Sequence, residues 1–139
     1  SHDPKDLPRL LAAVASVDGA FGTRYTGGGG ISGWSALRKF ISRGGNIYAK
    51  AILRIPYSDL TGGFNAWKST TLTRVDYSSI QSKGYAFQIE LKYRAHCLGL
   101  KLVEVPIHFA NRVEGKSKMT GNIVWEAAAR VFQMKFRSA

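Results

Sequence analysis

The stretch KLVEVPIHFANRVEGKSKMTGNIVWEAAARVFQMKF, residues 101–136, predicts a strand, a basic loop and a helix in succession. Lys101–Phe109 alternates apolar and polar residues, as a half-buried strand does, and Pro106 predicts an edge position or a bulge there. In the following loop, Arg112 and Lys118 lie among further cations around one glutamate. Such a loop suits an anionic ligand, for example a phosphate or diphosphate, although a solvated charged loop is the commoner use of a basic run.

The rest of the chain continues this alternation of helices and strands. The predicted helices are Pro4 to about Val17, Trp34–Arg54 with an interruption at Gly44-Gly45, Ser69–Val75, Ala86–Leu98 and Asn122–Phe136. Strands are predicted at Gly19–Tyr25 and near Phe64–Trp67. Thr26–Gly33 contains five glycines, which predicts a loop, but no GxGxxG or Walker pattern is present. The order of elements is typical of an α/β fold with too few strands for a complete sheet.

Composition and charge restrict the class of protein. The chain has 139 residues, of which 45% are hydrophobic and 21% charged, as in a globular domain. Twenty Lys and Arg residues against nine Asp and Glu give a net charge of +11. This excess favours a polyanionic partner: a nucleic acid, an anionic membrane or a phosphorylated substrate. Cys97 is the only cysteine, so no internal disulfide is possible. The sequence contains no run of 18 apolar residues, so it predicts no membrane span.

Five segments, taken together, carry a resemblance to one family. They are GTRY at 22–25, WSALRKFISRGGN at 34–46, SDLTGGF at 58–64, SKGYAFQIEL at 82–91 and RVEGKSKM at 112–119. In order and spacing, across nearly the whole chain, they resemble the polyprenol-phosphate (dolichyl-phosphate) mannosyltransferases. Members of this family are inverting glycosyltransferases of the GT-A fold. The resemblance implies a partial GT-A (Rossmann-like) α/β fold, with residues 1–139 forming the acceptor-side second half of a catalytic domain.

The resemblance also implies what precedes this chain in the family. There the segment SHDP directly follows an Asp-x-Asp motif that holds a divalent metal, Mg²⁺ or Mn²⁺, with the nucleotide diphosphate. Ser1 would then lie beside the metal and is a weak candidate for contacting it. We expect that this chain lacks the N-terminal nucleotide-binding half and is inactive alone.

The resemblance assigns phosphate binding mainly to cationic residues. By resemblance, Arg24, Arg38 and Ser42 bind the acceptor phosphate, whereas Arg112 and Lys118 bind the donor diphosphate. Residues four apart on a helix share a face, so Arg38 and Ser42 can both donate hydrogen bonds to one phosphate. A surface position for Arg24 and a solvated helix stripe for the other two are the structural alternatives.

Three further residues are candidates for catalysis near the sugar: Asp59, Gln88 and Glu90. We expect Asp59 to be the carboxylate nearest the sugar, the alternative being an aspartate that bonds its own turn. Gln88 and Glu90 are two apart and do not share a helical face, but both can border the site if that turn faces inward. An ion pair of Glu90 with Lys92 or Arg94 is the alternative, at spacings that we expect to be poor.

By this resemblance, the expected reaction is transfer of mannose from GDP-mannose to a polyprenyl or dolichyl monophosphate, with inversion. The second pKa of a phosphate monoester is about 6, so the acceptor is already nucleophilic at neutral pH and needs no strong base. Helices 34–54 and 122–137 are expected at a membrane surface, the alternative being packing on the sheet. The expected location is the cytoplasmic face of a membrane: the plasma membrane in a prokaryote or the endoplasmic reticulum in a eukaryote.

Other functions remain open from the sequence. Transfer of glucose or another hexose to the same lipid is one alternative. A nucleic-acid-binding module is a second, because the charge and the aromatic residues Tyr25, Trp34 and Tyr48 allow it. No recognisable nucleic-acid-binding motif is present, so no nucleic-acid partner is predicted. An inactive regulatory fragment is the third.

Overall fold

A computed structural model of the chain describes residues 2–110 and 121–137 as a mixed α/β structure. The α-helices are α1 (Leu7–Val14), α2 (Ala36–Leu53), α3 (Ser69–Arg74), α4 (Gly84–Cys97) and α5 (Gly121–Arg137). The strands are β1 (Gly19–Thr23), β2 (Gly30–Ser32), β3 (Asn65–Trp67), β4 (Leu102–Pro106) and β5 (His108–Ala110). Short 3₁₀ turns occupy Pro4–Asp6 and Tyr77–Ser79.

The strands form two small sheets. In the first sheet, central strand β1 pairs antiparallel with β3 and parallel with β4. In the second sheet, β2 and β5 run parallel. The described residues thus confirm the predicted α/β class, and the small sheet is consistent with a partial glycosyltransferase fold.

Strand β1, with sequence GAFGT, is buried along its whole length. Its two glycines allow close packing on both neighbours, because a Cβ at Gly19 would lie 2.5 Å from the Trp67 ring and one at Gly22 would lie 2.6 Å from Ile107 Cδ1. Phe21 is fully buried between them. The tight packing fixes the carboxyl end of β1, where Arg24 follows.

Helix α2 is continuous, so the predicted interruption at Gly44-Gly45 is wrong. Ser35 caps its N-terminus by accepting a hydrogen bond from the Arg38 amide, and Arg54 ends it in the left-handed conformation at φ 55°. Glycine lowers helix stability by only about 1 kcal/mol per residue, which tertiary packing offsets readily. Here α2 packs against α5, and the Tyr48 hydroxyl donates to the Ala128 carbonyl at 3.1 Å.

The predicted single strand at residues 101–109 is interrupted and contributes to both sheets. Pro106 lacks an N–H group, and Ile107 leaves β4 by donating its N–H to the Thr23 carbonyl at 2.9 Å. Gly30 in turn donates to the Ile107 carbonyl at 3.0 Å, which starts the pairing of β2 with β5. The prediction of a loop throughout 26–33 is therefore wrong at the three residues of β2. In the part of the sheet that the structure describes, β4 is an edge strand, as Pro106 predicted.

The largest buried cluster joins α2, α4 and α5. Its centre includes Leu53, Leu60, Ile89 and Val131, all at most 3% exposed. This packing places one face of α2 and the start of α4 beside the carboxyl end of β1. Within residues 2–110 and 121–137, none of the helices is long and apolar enough to cross a membrane.

Candidate functional site

A cavity of about 360 Å³ lies at the carboxyl end of β1, between α2, the loop 58–64 and α4. Its lining includes five of the predicted site residues: Arg24, Arg38, Ser42, Asp59 and Gln88. They come from segments up to 64 residues apart in the sequence, and the fold brings them to one concave surface.

Arg24 forms a buried bidentate ion pair with Asp59. Its Nε donates to Asp59 Oδ2 at 2.8 Å and its Nη2 donates to Oδ1 at 2.8 Å, while the Arg24 amide also donates to Oδ2 at 3.0 Å. Burial acts to raise the pKa of Asp59, but the bonds and charge of Arg24 hold that pKa below its usual value. Burial likewise acts against the charge of Arg24, and the Asp59 carboxylate raises the pKa of the guanidinium. Both groups are therefore charged at neutral pH.

Two N–H donors of Arg24 remain available for a ligand. An arginine carries five N–H groups. Nε and Nη2 supply three of them to Asp59 and to Thr61 Oγ1, the last at 3.1 Å. Nη1 has no hydrogen-bond partner in the described part of the chain. The carboxylate thus orients Arg24 and leaves one edge of the guanidinium for the cavity.

Arg38 is a second cation of the cavity and lacks a carboxylate partner within residues 2–110 and 121–137. Its guanidinium carbon lies 3.9 Å from the centroid of the Trp34 ring, a stacking arrangement that fixes the plane of the group. Its Nε is buried, and no described residue bonds it. A buried guanidinium donor without a partner is costly, which is the situation expected where an anion binds.

Ser42 lies one helical turn after Arg38 and lines the same cavity, so the predicted common face is confirmed. Its hydroxyl forms a short hydrogen bond with the Tyr25 hydroxyl. Burial raises the pKa of Tyr25, which therefore stays protonated and neutral. This pair places a hydroxyl beside the two guanidinium groups.

Asp59 binds Arg24 rather than its own turn, so the alternative of a turn-forming aspartate is not what the structure contains. Gln88 also lines the cavity, and its Oε1 accepts a hydrogen bond from Asn65 Nδ2 at 2.7 Å. This bond turns the Gln88 amide nitrogen away from Asn65 and leaves it as a donor beside Gly63.

Glu90 is not among the residues that line this cavity. It accepts from Ser82 Oγ and pairs with Arg94 Nη2 at 2.7 Å, next to a separate polar cavity between α4 and α5. The expectation that Glu90 borders the site together with Gln88 is therefore wrong. The expectation of poor spacing is also wrong for Arg94, because an i, i+4 pair on a helix is well placed for an ion pair.

Sequence reasoning missed three polar residues behind the site: Asn46, Lys92 and Glu104. Each contacts the main chain of loop 58–62 and comes from a different element, α2, α4 or β4. Lys92 is fully buried, and burial lowers its pKa to about 7 despite the nearby charge of Asp59. Its position three residues after Ile89 and three before Ala95, on an apolar helical face, was the one signal that the sequence offered.

Aromatic rings form another wall of the cavity. The His2 and Phe64 rings stack with centroids 4.8 Å apart, and Phe109 packs edge-on against His2 and Trp34. This wall excludes water beside Arg24, whose guanidinium lies within 6 Å of the Trp34 and Phe109 centroids. Electrostatic attraction to an anion is stronger in such an environment than in bulk water.

An apolar groove of about 220 Å³ adjoins the cavity, and the two share Ser42, Thr61 and Tyr85. Its walls come from α2, α4 and α5, and Gly44 and Gly45 of α2 line it without filling it. The groove thus leads from the guanidinium groups toward the surface of α2 and α5.

The outer faces of α2 and α5 expose large apolar side chains. On α2 these are Leu37, Phe40 and Ile47, and on α5 they are Trp125, Phe132 and Phe136. The spacings of three, four and seven residues place each set on one side of its helix. Each of the two packed helices therefore presents an apolar stripe to solvent.

The remaining predicted site residues, Ser1, Arg112 and Lys118, lie outside the described residues. Within residues 2–110 and 121–137, no group of three or more His, Cys, Asp or Glu side chains is arranged to hold a metal ion.

Comparison with known proteins identifies relatives over nearly the whole chain. An undecaprenyl-phosphate mannosyltransferase of Micrococcus luteus is 44% identical over 131 residues, which cover 94% of this chain and 54% of that protein. A polyprenol monophosphomannose synthase of Mycolicibacterium smegmatis is 41% identical over 138 residues, which cover 99% of this chain and 52% of that protein. The chain spans about half the length of these curated relatives. No family model matches it.

Proposed function

We propose that this chain belongs to the family of the polyprenyl-phosphate mannosyltransferases, because it is 41–44% identical to two of them over about half of their length. The complete gene product would then transfer mannose from GDP-mannose to a polyprenyl monophosphate. The observation that carries this proposal is the presence of Arg24 and Arg38 in one cavity, each with guanidinium donors that no described residue occupies. Two such groups suit a phosphate monoester, and the hydroxyl of Ser42 on α2 lines the same cavity.

The acceptor phosphate needs to be held more than activated. It is largely dianionic at neutral pH, since its second pKa is about 6, and one of its oxygens can attack the anomeric carbon directly. Arg24 and Arg38 would orient this oxygen and offset the repulsion between two phosphate-bearing substrates. Attack from the face opposite the leaving GDP would invert the anomeric centre.

The neutral Gln88 amide is the described group best suited to a sugar hydroxyl. Asn65 orients it, and its nitrogen lies beside Gly63. Asp59 would act through Arg24 rather than on the sugar, because both of its oxygens already accept bonds from that arginine. Glu90 is engaged elsewhere by Ser82 and Arg94.

The donor side belongs to residues outside the described part of the chain. By resemblance, Arg112 and Lys118 would bind the diphosphate of GDP-mannose, and Ser1 would lie near a divalent metal, Mg²⁺ or Mn²⁺. That metal would neutralise charge on the leaving diphosphate. Among the described residues, no group of three or more His, Cys, Asp or Glu side chains is placed to hold it.

The lipid part of the acceptor would occupy the apolar groove that begins at Ser42 and Thr61. The exposed stripes of α2 and α5 would then rest in the headgroup layer of the membrane that contains the lipid. Fully burying one leucine or phenylalanine side chain contributes about 1.5–3 kcal/mol, so six such residues supply substantial binding. The reaction would take place on the cytoplasmic face of that membrane.

The test is sugar transfer by the purified complete gene product. Undecaprenyl phosphate in detergent is offered with radiolabelled GDP-mannose or UDP-glucose, and lipid-linked label is counted after extraction. We expect label from GDP-mannose only, and proton NMR of the product should report the inverted anomer. Transfer from UDP-glucose alone would replace mannose by glucose in this proposal.

A matched pair of variants tests the cavity itself. Arg38→Gln should lower transfer roughly tenfold to a hundredfold, because a charge-assisted hydrogen bond contributes about 1.5–3 kcal/mol. Lys39→Gln removes the neighbouring exposed charge on the same helix and should leave transfer nearly unchanged. Equal losses in both variants would contradict a specific phosphate site.

A further inference from the structure

Loop 58–62 has an unusual source of hydrogen bonds. Among the described residues, it makes no bond from main chain to main chain. Side chains supply the hydrogen-bond partners instead: Glu104 Oε1 accepts from the amides of Ser58 and Asp59 at 2.8 and 3.0 Å. Asn46 Oδ1 accepts from the amides of Leu60 and Thr61 at 2.6 and 3.2 Å.

Lys92 serves the carbonyl groups of the same loop. Its Nζ donates to the carbonyl oxygens of Gly62 at 2.8 Å, Leu60 at 3.0 Å and Asp59 at 3.4 Å. The ammonium also lies 4.6 Å from the centroid of the Phe21 ring. A lysine head group that is entirely removed from water is costly unless its donors are occupied, and here three acceptors surround it.

The three side chains come from three separate elements. Asn46 lies on α2, Lys92 on α4 and Glu104 on β4, so the loop is tied to the helical cluster and to the sheet at once. The loop in turn carries Asp59, whose two oxygens determine the plane of the Arg24 guanidinium. Any shift of the loop main chain would therefore rotate the free Nη1 edge of Arg24.

We propose that Lys92 is a positioning residue for acceptor binding, which acts with Asn46 and Glu104 to fix loop 58–62 and, through Asp59, to aim Arg24 at the acceptor phosphate. This inference rests on the proposed function, since it assigns that phosphate as the target. Lys92 does not line the cavity and touches no substrate in this scheme.

The decisive variant is Lys92→Met in the complete gene product. Methionine has a similar length and suits a buried position, but it leaves three buried carbonyl groups without a donor. A misplacement of about 1 Å costs up to a hundredfold in rate or binding, so we expect the KM for undecaprenyl phosphate to rise about tenfold or more. The KM for the sugar nucleotide should stay the same.

Leu91→Ala is the matched control. Leu91 is the neighbouring residue on α4, but it packs in a different cluster, with Val75 and Leu100. Its truncation destabilises the fold through a cavity. A protein that is merely less stable has fewer active molecules and an unchanged acceptor KM. Equal acceptor KM values for Lys92→Met and wild type, or equal increases in both variants, would overturn the proposal.

Amide hydrogen exchange tests the clamp without relying on catalysis. In Lys92→Met the amides of residues 58–61 should exchange at least tenfold faster relative to those of the buried strand β1, whereas Leu91→Ala should leave this ratio unchanged. An unchanged ratio in Lys92→Met would overturn the positioning role. Faster exchange in that variant, combined with a wild-type protein that transfers no mannose, would instead refute the proposed function and leave the clamp standing.

Discussion

The buried ion pair between Arg24 and Asp59 means that the two cavity arginines should respond differently to mutation. Arg24→Gln leaves the Asp59 carboxylate, which is fully buried, without its cation. Removing one partner of a buried pair costs about 3–5 kcal/mol of folding stability. Arg38→Gln leaves no carboxylate without its cation among the described residues and removes mainly a stacking contact with Trp34, which contributes about 1 kcal/mol.

Both variants should nevertheless lose acceptor binding. Each removes charge-assisted hydrogen bonds to phosphate of about 1.5–3 kcal/mol, which corresponds to a tenfold to hundredfold increase in the acceptor KM. The assay is urea unfolding of each variant, followed by mannose transfer at varied concentrations of undecaprenyl phosphate. The expected pattern is a common loss of acceptor affinity with a large stability loss for Arg24→Gln only.

The double variant Arg24→Gln/Asp59→Asn makes the reasoning refutable. It removes both charges, so it should recover part of the stability that Arg24→Gln loses, without recovering acceptor binding. Equal destabilisation of the two single arginine variants would contradict the buried pair. A double variant that is less stable than Arg24→Gln would contradict it as well.

Three further predictions concern pH, the groove and the membrane. The pKa of Lys92 is about 7 in the folded state and about 10.4 when unfolded, so above pH 7 the unfolded chain binds more protons and the free energy of unfolding should rise with pH. In urea unfolding between pH 7.5 and 9, the free energy of unfolding of the wild-type protein should rise by up to about 1.4 kcal/mol per pH unit more than that of Lys92→Met. Equal slopes for the two proteins would contradict the lowered pKa. The neutral amine still has two N–H donors for its two shorter carbonyl contacts, so we expect loop 58–62 to stay clamped over this range. Gly45→Leu should keep the fold stable, since space is open at that position, yet raise the KM for undecaprenyl phosphate on the order of tenfold by filling the groove; an unchanged KM would exclude the groove as the lipid site. Phe40→Gln/Phe132→Gln should lower the affinity for anionic vesicles, measured by sedimentation, about a hundredfold. Leu98→Gln, which alters an exposed leucine near the end of α4, should not; equal losses would argue against membrane binding by the α2 and α5 faces.

The surroundings of Lys92 shift its pKa in opposing directions. Burial lowers its pKa, Asp59 and Glu104 act to raise it, and Arg24 acts to lower it further. Asp59 and Arg24 keep their charges through pH 7.5–9, because the pKa of the first is lowered and that of the second is raised. Lys92 is therefore the group of this cluster whose titration the pH series reports.

The sequence predicted the cavity residues on α2 well, for a local reason. Arg38 and Ser42 belong to one helix, and a spacing of four residues places both on one face whatever the rest of the fold does. The helix itself has a capping serine and an amphipathic pattern, so only the glycine pair misled the prediction.

The residues that the sequence did not predict depend on contacts between distant segments. Lys92, Asn46 and Glu104 meet loop 58–62 across 14 to 46 residues, and no periodic pattern encodes such a meeting. Arg24 was found through a motif, but its pairing with Asp59 required the fold. The same limit applies to Pro106, where the chain leaves one sheet for the other after a residue that lacks an N–H group.

The most direct test of the account is a crystal structure of the complete gene product with a short-chain prenyl monophosphate. We predict phosphate oxygens within hydrogen-bonding distance of Arg24 Nη1 and the Arg38 guanidinium, with the first isoprene unit entering the groove beside Gly45. A phosphate bound outside this cavity, with both arginines unchanged and unoccupied, would contradict the assignment of the acceptor site.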